Sequence, residues 1–295
     1  MKFLNFEVFC DEIAANIYNY LPNYDIEAVN IEKVIKNNGV ECTGIIVILK
    51  EENIAPNIYL DYYYMLYKQG RTLDYVLTMI GEEYIRARNT MVKTDFNIQV
   101  EAIKDNAIVK LVNYERNKEK LENCPHIRFL DLAISFRYIV KLDECGMASA
   151  MISNSDLDRW NMNQEELYKI AIENTKRLFP ASIKCMDELI PEIDDICSKM
   201  DERKKLNVLT NESGINGATC MVYDNVIGEY AREIGKSLFI LPSSIHEIIL
   251  IACDDVEKEG LKKLVKEVNK FIVSEIDFLS DNVYFYDLET DKITI

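Results

Sequence analysis

The stretch GINGATCMVYDNVIGEYAREIGKSLFILPSSIHEIILIACDD, Gly214 to Asp255, decides the fold. Ala218–Tyr223 is short, apolar and bounded by Gly217 and Asp224, which predicts a strand. Asp224 can accept backbone N–H bonds as the N-cap of a following helix. In that helix Ile227, Tyr230, Ala231 and Ile234 recur three and four residues apart and share a face. Gly235 stands where a left-handed residue closes the last turn without a Cβ clash. Two apolar runs follow, Ser237–Leu241 and Ile245–Cys253, split by the turn residues Pro242-Ser243-Ser244, and they predict an antiparallel hairpin. Ile248–Ala252 is apolar throughout, the pattern of a strand covered on both faces. Next comes a helix capped by Asp255, with Glu257 and Glu259 near its positive end and Leu261, Leu264, Val265, Val268 and Ile272 as its stripe. A parallel sheet would need a helix between the two apolar runs; their direct succession predicts an α+β fold, antiparallel hairpins covered by amphipathic helices.

Outward from this stretch the same periodicities continue. Residues 3–21 place Phe6, Phe9, Ile13, Ile17 and Tyr20 on one helical stripe, stopped by Pro22. Ile26–Ile35 and Val40–Lys50 predict a hairpin around Asn37-Asn38-Gly39, residues that tolerate positive φ. Residues 58–69 hold Tyr59, Tyr62, Tyr63, Tyr64 and Tyr67 and predict a short helix ended by Gly70. Thr72 caps a second helix with Leu73, Val76, Ile80 and Tyr84 inward. Such tyrosines can form a binding surface, or simply the face on which two helices pack against the hairpin. The polar run Asn89–Asp95 marks a boundary between an N-terminal part of helix, hairpin and two helices, residues 1–92, and a larger α+β part, residues 93–295, unless the chain is one unit. The second part reads as a strand at Ala107–Val112, a charged helical turn at Glu115–Leu121, a loop at Pro125-His126, and strands Phe129–Val140 and Met147–Ile152 joined by a turn at Asp143–Gly146. A capping box, Asn163 with Glu166, opens a helix that ends at Pro180. A helix over Asp187–Cys197, a strand over Leu206–Leu209, and a closing hairpin of Asn282–Tyr286 with Lys292–Ile295 complete the pattern.

Composition excludes several classes of function. The 295 residues carry 34 Lys and Arg against 50 Asp and Glu, a net charge of -16. Nucleic-acid binders neutralise phosphates with clustered cations. The longest basic run here, Arg203-Lys204-Lys205, follows the acidic patch of Asp194, Asp195, Asp201 and Glu202 and reads as a solvated turn, so no nucleic-acid partner is expected. No apolar run approaches the length of a membrane span, and no membrane association is expected. Glu7, Asp11 and Glu12 interrupt the N-terminal apolar residues, unlike a signal-peptide core, which predicts a cytoplasmic protein. The eight cysteines, at 10, 42, 124, 145, 185, 197, 220 and 253, include no C-x-x-C pair and read as small buried hydrophobes in a reducing compartment rather than metal ligands.

Several strings resemble an uncharacterised domain-of-unknown-function family from anaerobic Gram-positive gut bacteria. They are Tyr59-Leu60-Asp61-Tyr62-Tyr63, Asn113-Tyr114-Glu115-Arg116-Asn117, Pro125-His126 followed by Leu130-Asp131-Leu132-Ala133, Leu241-Pro242-Ser243-Ser244-Ile245-His246-Glu247, and Ser280-Asp281-Asn282-Val283-Tyr284. The resemblance extends over nearly the whole chain, which implies one family unit rather than a mosaic, and it brings no activity with it. Phe271-Ile272-Val273 is more apolar than the family's pattern, which implies a local difference in packing.

The sharpest chemical constellation is Cys220 with His246, nucleophile and base, oriented by Glu247 or Asp254. A reactive thiolate needs an electropositive, partly exposed setting, and Thr219, Met221 and the negative local charge do not supply one. Ser243 and Ser244 lack a Gly-x-Ser-x-Gly elbow, and His246-Glu247 lacks the second histidine of a zincin. Asp254-Asp255 could hold a divalent cation, although a helix cap explains them with less. Gly-Ile-Asn-Gly lacks the lysine of a phosphate loop and the third glycine of a dinucleotide turn. No cofactor and no metal site are therefore expected. The sequence predicts a cytoplasmic binding or interaction protein without catalytic activity, its protein or peptide partner and oligomeric state open. The alternative is a hydrolase of unfamiliar type using Cys220 and His246, with Glu247 as third member.

Overall fold

A computed structural model describes residues 3–50, 52, 55–90, 100–143 (side chains from 103), 146–186, 206–253 and 257–295. The chain divides into two compact units, Met1–Asp95 and Phe96–Ile295. The boundary expected after residue 92 lies outside the described residues, as do the helix expected at Asp187–Cys197, the basic run at Arg203, Cys145, and the pair Asp254-Asp255.

In the first unit, helix α1 (Phe6–Asn16) is capped by Asn5, whose side chain accepts the Val8 amide, and runs into a 3-10 turn at Ile17–Tyr20. Strands β1 (Ile26–Ile35) and β2 (Glu41–Leu49) form the expected antiparallel hairpin. Its turn places Asn38 and Gly39 at φ 61° and 72°, which explains the residue choice there. Strand β3 (Asn57–Tyr59) adds to the free edge of β2, followed by helices α2 (Leu60–Lys68) and α3 (Leu73–Thr90). Phe9, Ile13, Ile45, Val47, Leu60, Val76, Ile80 and Tyr84 close the core between helices and sheet. Most of the tyrosine run packs, while Tyr62 stays exposed. Tyr63 is buried, the rings of Tyr64 and Tyr67 lie on Phe9, and their hydroxyls tie to the backbone of Leu4.

The second unit is built on two antiparallel sheets. Helix α4 (Val100–Asn106) leads into β4 (Ala107–Asn113), then α5 (Tyr114–Leu121), β5 (His126–Phe129), β6 (Leu132–Asp143) and β7 (Gly146–Met151). The long strand β6 has β4 on one edge and takes β5 and β7 in succession along its length. Helices α6 (Asn154–Trp160) and α7 (Gln164–Leu178) follow. The Asn163–Glu166 capping box forms as expected, each side chain accepting the other's backbone amide at 3.0 Å. Then come β8 (Ala181–Cys185), β9 (Asn207–Asn211), a 3-10 segment (Gly217–Val222), α8 (Val226–Ile234), β10 (Leu238–Pro242), β11 (Ile248–Ala252), α9 (Lys258–Phe271), β12 (Tyr284–Asp287) and β13 (Lys292–Thr294). The second sheet runs β13-β12-β10-β11-β9-β8, every pair antiparallel. The fold is α+β, with antiparallel hairpins and an N-terminal helix, as the order of the apolar runs predicts.

Parity explains the layers. Leu238, Ile240, Ile248 and Leu250 face one core with Val109, Leu111, Ile134 and Phe136 of the first sheet. Phe239 and Leu241 face the opposite way, onto Leu261 and Val265 of α9. The central hairpin is thus covered on both faces, which is why its strands read as continuous apolar runs.

Four local expectations are corrected. Ala218–Tyr223 is not a strand: the run lies in the 3-10 segment, entered through Asn216 at φ 52°. A short apolar run is equally suited to a buried turn, and here the Ala218 amide reaches the Ile245 carbonyl at 3.2 Å instead of a strand partner. Asp224 does not cap α8; Asn225 holds that position at φ 66°, and Asp224 pairs with Lys176 at 2.7 Å. His126 begins β5 instead of lying in a loop. Of the stripe on α9 only Leu261 and Val265 are buried, against Phe239 and Leu241, while Leu264 and Ile272 are exposed.

Candidate functional site

His246 lies in the loop between β10 and β11, not at a strand start. Its Nδ1 is 3.3 Å from the Asn216 amide and 3.1 Å from the Gly214 carbonyl oxygen. Nδ1 accepts the Asn216 N–H in one tautomer and donates to the Gly214 carbonyl in the other, while Nε2 faces Asp277 Oδ1 at 3.4 Å. Glu247 does not orient the imidazole; it accepts the Ser243 hydroxyl at 3.2 Å. Asp277, thirty-one residues downstream, takes the place the sequence assigned to Glu247 or Asp254.

Cys220 is fully buried in the 3-10 segment, and its thiol donates to the Thr210 carbonyl at 3.3 Å. Burial pushes the thiol up to about 12, so it stays protonated through the physiological range. None of the imidazole's hydrogen-bond or ion-pair partners is Cys220. The pair singled out by sequence is therefore not assembled as nucleophile and base. Replacing Cys220 with Ala is expected to lower stability by about 1 kcal/mol, as for other small core truncations. Alkylation of the native thiol at neutral pH should proceed at the rate of global opening and be unaffected by His246→Ala. Fast labelling slowed by His246→Ala would contradict the buried assignment.

A second group of residues, not singled out by sequence, lies on the outer face of the first sheet. Lys110 on β4, Ser135 on β6 and His126 on β5 are in register across three strands. Residues directly opposite in antiparallel strands project to the same side, so these three share the face with Ile108 and Arg137, the next pair along. Burial pushes the Lys110 ammonium down to about 8; the Arg137 guanidinium adds to the shift, and Asp277 opposes it. Arg137 is held below its usual range by burial, and donates through Nε to Ser149 Oγ at 2.8 Å and through Nη2 to the Ser149 carbonyl at 2.6 Å. Ser135 is no nucleophile here: it is buried and donates to the Lys110 carbonyl at 2.9 Å. The signal in the sequence was a single lysine inside Ala107–Val112, since a cation in the middle of a run covered on both faces must be sunk in the sheet.

The segment from Asp277 to Tyr284 gathers these pieces. The Ile245 amide bonds the Asp277 carbonyl at 2.8 Å, and Asn113 Nδ2 bonds the Leu279 carbonyl at 2.9 Å. Arg116 stacks on the Phe278 ring at 3.6 Å, while Arg128 stacks on Tyr114 at 3.4 Å. Asp131 accepts the side chains of Ser280, Asn282 and Tyr284. Strings scattered over residues 113–284 thus meet at one place in the second unit. The model of a family of unknown function, DUF5688, matches residues 6–288. The chain belongs to that family. The match runs through both compact units, so the family is defined by the two together. No curated protein and no solved structure matches the chain.

Among the described residues no group of three or more His, Cys, Asp or Glu is placed to hold a metal ion, and no helix is long and apolar enough to cross a membrane. The described cysteines, at 10, 42, 124, 185, 220 and 253, are all free thiols.

Proposed function

We propose that this protein is a binding or interaction protein without catalytic activity, and that its partner, a protein or peptide, engages the second unit at the Lys110–Arg137 face. One observation carries the reading: in a chain of net charge -16, a lysine and an arginine share a sheet face, and the hydroxyl between them is buried and already bonded. Cations without an accessible nucleophile serve recognition better than turnover. The acidic surface elsewhere suits a partner steered to this face and disfavours nucleic acid. The free thiols are in keeping with a reducing, cytoplasmic setting, and the strings quoted above suggest a bacterial source of the anaerobic Gram-positive kind.

The test is affinity purification of the full chain from cells that make it, with lysine-directed crosslinking and mass spectrometry of what is retained. Crosslinks confined to the strands around Lys110, and lost in Lys110→Met, are the expected result. Hydrolytic turnover of any ester, amide or thioester that disappears in Cys220→Ala would overturn the reading in favour of the hydrolase.

A further inference from the structure

We propose that the sheet face around Lys110 and Arg137 is a binding site for a carboxylate. The proposal rests on the binding reading for its purpose but on separate observations for its chemistry. Among the described residues the Lys110 side chain has no hydrogen-bond or ion-pair partner, although it is half-buried beside Ile108, Ser135, Arg137 and Val112 of two paired strands. An ammonium partly withdrawn from water without a partner is unfavourable, and its remaining exposure leaves it open to a ligand. Left open among the described residues, next to a second cation, it keeps a charge for a ligand.

The donor geometry selects the ligand. Arg137 spends Nε and one N–H of Nη2 on Ser149, which leaves Nη1 and the second Nη2 hydrogen. That edge presents two parallel N–H groups, the match for the two oxygens of a carboxylate, and Lys110 adds a point charge beside it. The charged groups acting on Lys110 are Arg137 on β6, Lys120 on α5 and Asp277 in the segment before β12, with His126 in register on the third strand. Two cations on the face, Lys110 and Arg137, against the Asp277 carboxylate leave room for a monoanion and disfavour a phosphate dianion. A carboxylate could come from a free organic acid or from an acidic peptide, and the chemistry recognised is the same.

Two consequences follow from the position of Lys110. Its ordinary value of 10.5 falls to about 8 in the folded chain. Between those values the unfolded chain binds more protons, so this residue makes stability rise with pH there, and at pH 7 its charge is a net liability to the fold. Lys110→Met is therefore expected to melt at or above the wild-type temperature at pH 7, whereas a structural lysine would melt lower on removal. Binding of a carboxylate stabilises the ammonium, so affinity should be greatest below pH 8 and fall by about tenfold per unit above it.

The experiment is competitive acetylation of the full chain at pH 8, with Lys110 followed by mass spectrometry. In the free protein Lys110 should react at least about tenfold faster than surface lysines, because about half of its amine is neutral at that pH against well under a tenth of theirs. Sodium succinate and an N-acetylated triglutamate peptide are the probes, with sodium chloride at matched ionic strength as control. Protection by both, lost in Arg137→Gln, assigns a free carboxylate; protection by the peptide alone assigns an acidic peptide; either supports the site. Protection equal to that in sodium chloride, or stronger protection by inorganic phosphate, overturns it, as does a Lys110→Met variant that melts well below wild type. If the crosslinks of the partner vanish in Lys110→Met while neither probe protects, the binding reading stands and the carboxylate assignment fails.

Discussion

Gly217→Ala is expected to destabilise the second unit by about 3 kcal/mol, at the upper end for a single methyl group. A Cβ at this position would meet Thr210 Oγ1, the His246 carbonyl oxygen and the Asn211 amide nitrogen, all inside 3.0 Å. Two of the three are backbone atoms, one in β9 and the other in the His246 loop, so no side chain can swing away to make room. Thr210 and His246 are themselves joined by a 2.8 Å hydrogen bond, and the adjacent Ala218 amide bonds the Ile245 carbonyl. Separating loop from strand to admit a methyl group would break both. Gly260 is the internal control. It lies exposed in the first turns of α9 with nothing within 4 Å of a built Cβ, so Gly260→Ala should stabilise by about 0.5–1 kcal/mol through helix propensity. Urea melts of the two variants give the comparison. A Gly217→Ala protein within about 0.5 kcal/mol of wild type would mean that the loop carrying His246 does not press against β9 as described.

What the sequence made legible, and what it hid, follows the range of the interactions. Asn163–Glu166, Asn38-Gly39 and Gly235 act within a few residues, and each does what its local chemistry requires. The antiparallel pairing of β10 with β11 was legible because their connection is too short for a crossover helix. Ala218–Tyr223 was misread because six apolar residues carry no period that separates a covered strand from a buried turn; only the left-handed Asn216 before it distinguishes the two. Leu264 and Ile272 continue the apolar pattern of α9 but are exposed, and Ile272 already lies past the last helical residue, Phe271. The site was least legible of all. His246 finds its carboxylate in Asp277, and Lys110 its arginine in Arg137, through sheet register and chain return that leave no mark in local pattern. The lone lysine in β4 was visible, but its meaning depends on which charges the fold places around it.

Asp131→Ala is expected to have the largest effect of any single side-chain truncation outside the apolar core, about 4 kcal/mol. Asp131 occupies the turn between β5 and β6, just after Leu130 at φ 58°. Its Oδ2 accepts the Ser280 hydroxyl at 2.7 Å and Asn282 Nδ2 at 3.0 Å, and its Oδ1 accepts the Tyr284 hydroxyl at 2.8 Å. Tyr284 and Ser280 are both buried, so truncation leaves their hydroxyls facing apolar surroundings without an acceptor. Burial, and then the Asp131 charge, already hold the Tyr284 hydroxyl far above its ordinary range, so it cannot relieve the loss by ionising. Asp131→Asn should fall between wild type and Ala, because the amide keeps one acceptor for Tyr284 but turns a donor toward Ser280 and Asn282. Tyr284→Phe alone removes the donor and leaves Asp131 two partners, at about 1 kcal/mol. In the double variant the losses should overlap, with a coupling of about 1–3 kcal/mol between residues 131 and 284. The same clasp holds residues 277–280, and so fixes Asp277 against His246 and beside Lys110. Releasing it moves away the Asp277 carboxylate, which raises Lys110, so in Asp131→Asn the Lys110 amine should acetylate faster at pH 8 than in wild type. Additive losses in the cycle, with Lys110 reactivity unchanged, would show that the clasp neither acts as a unit nor positions the site.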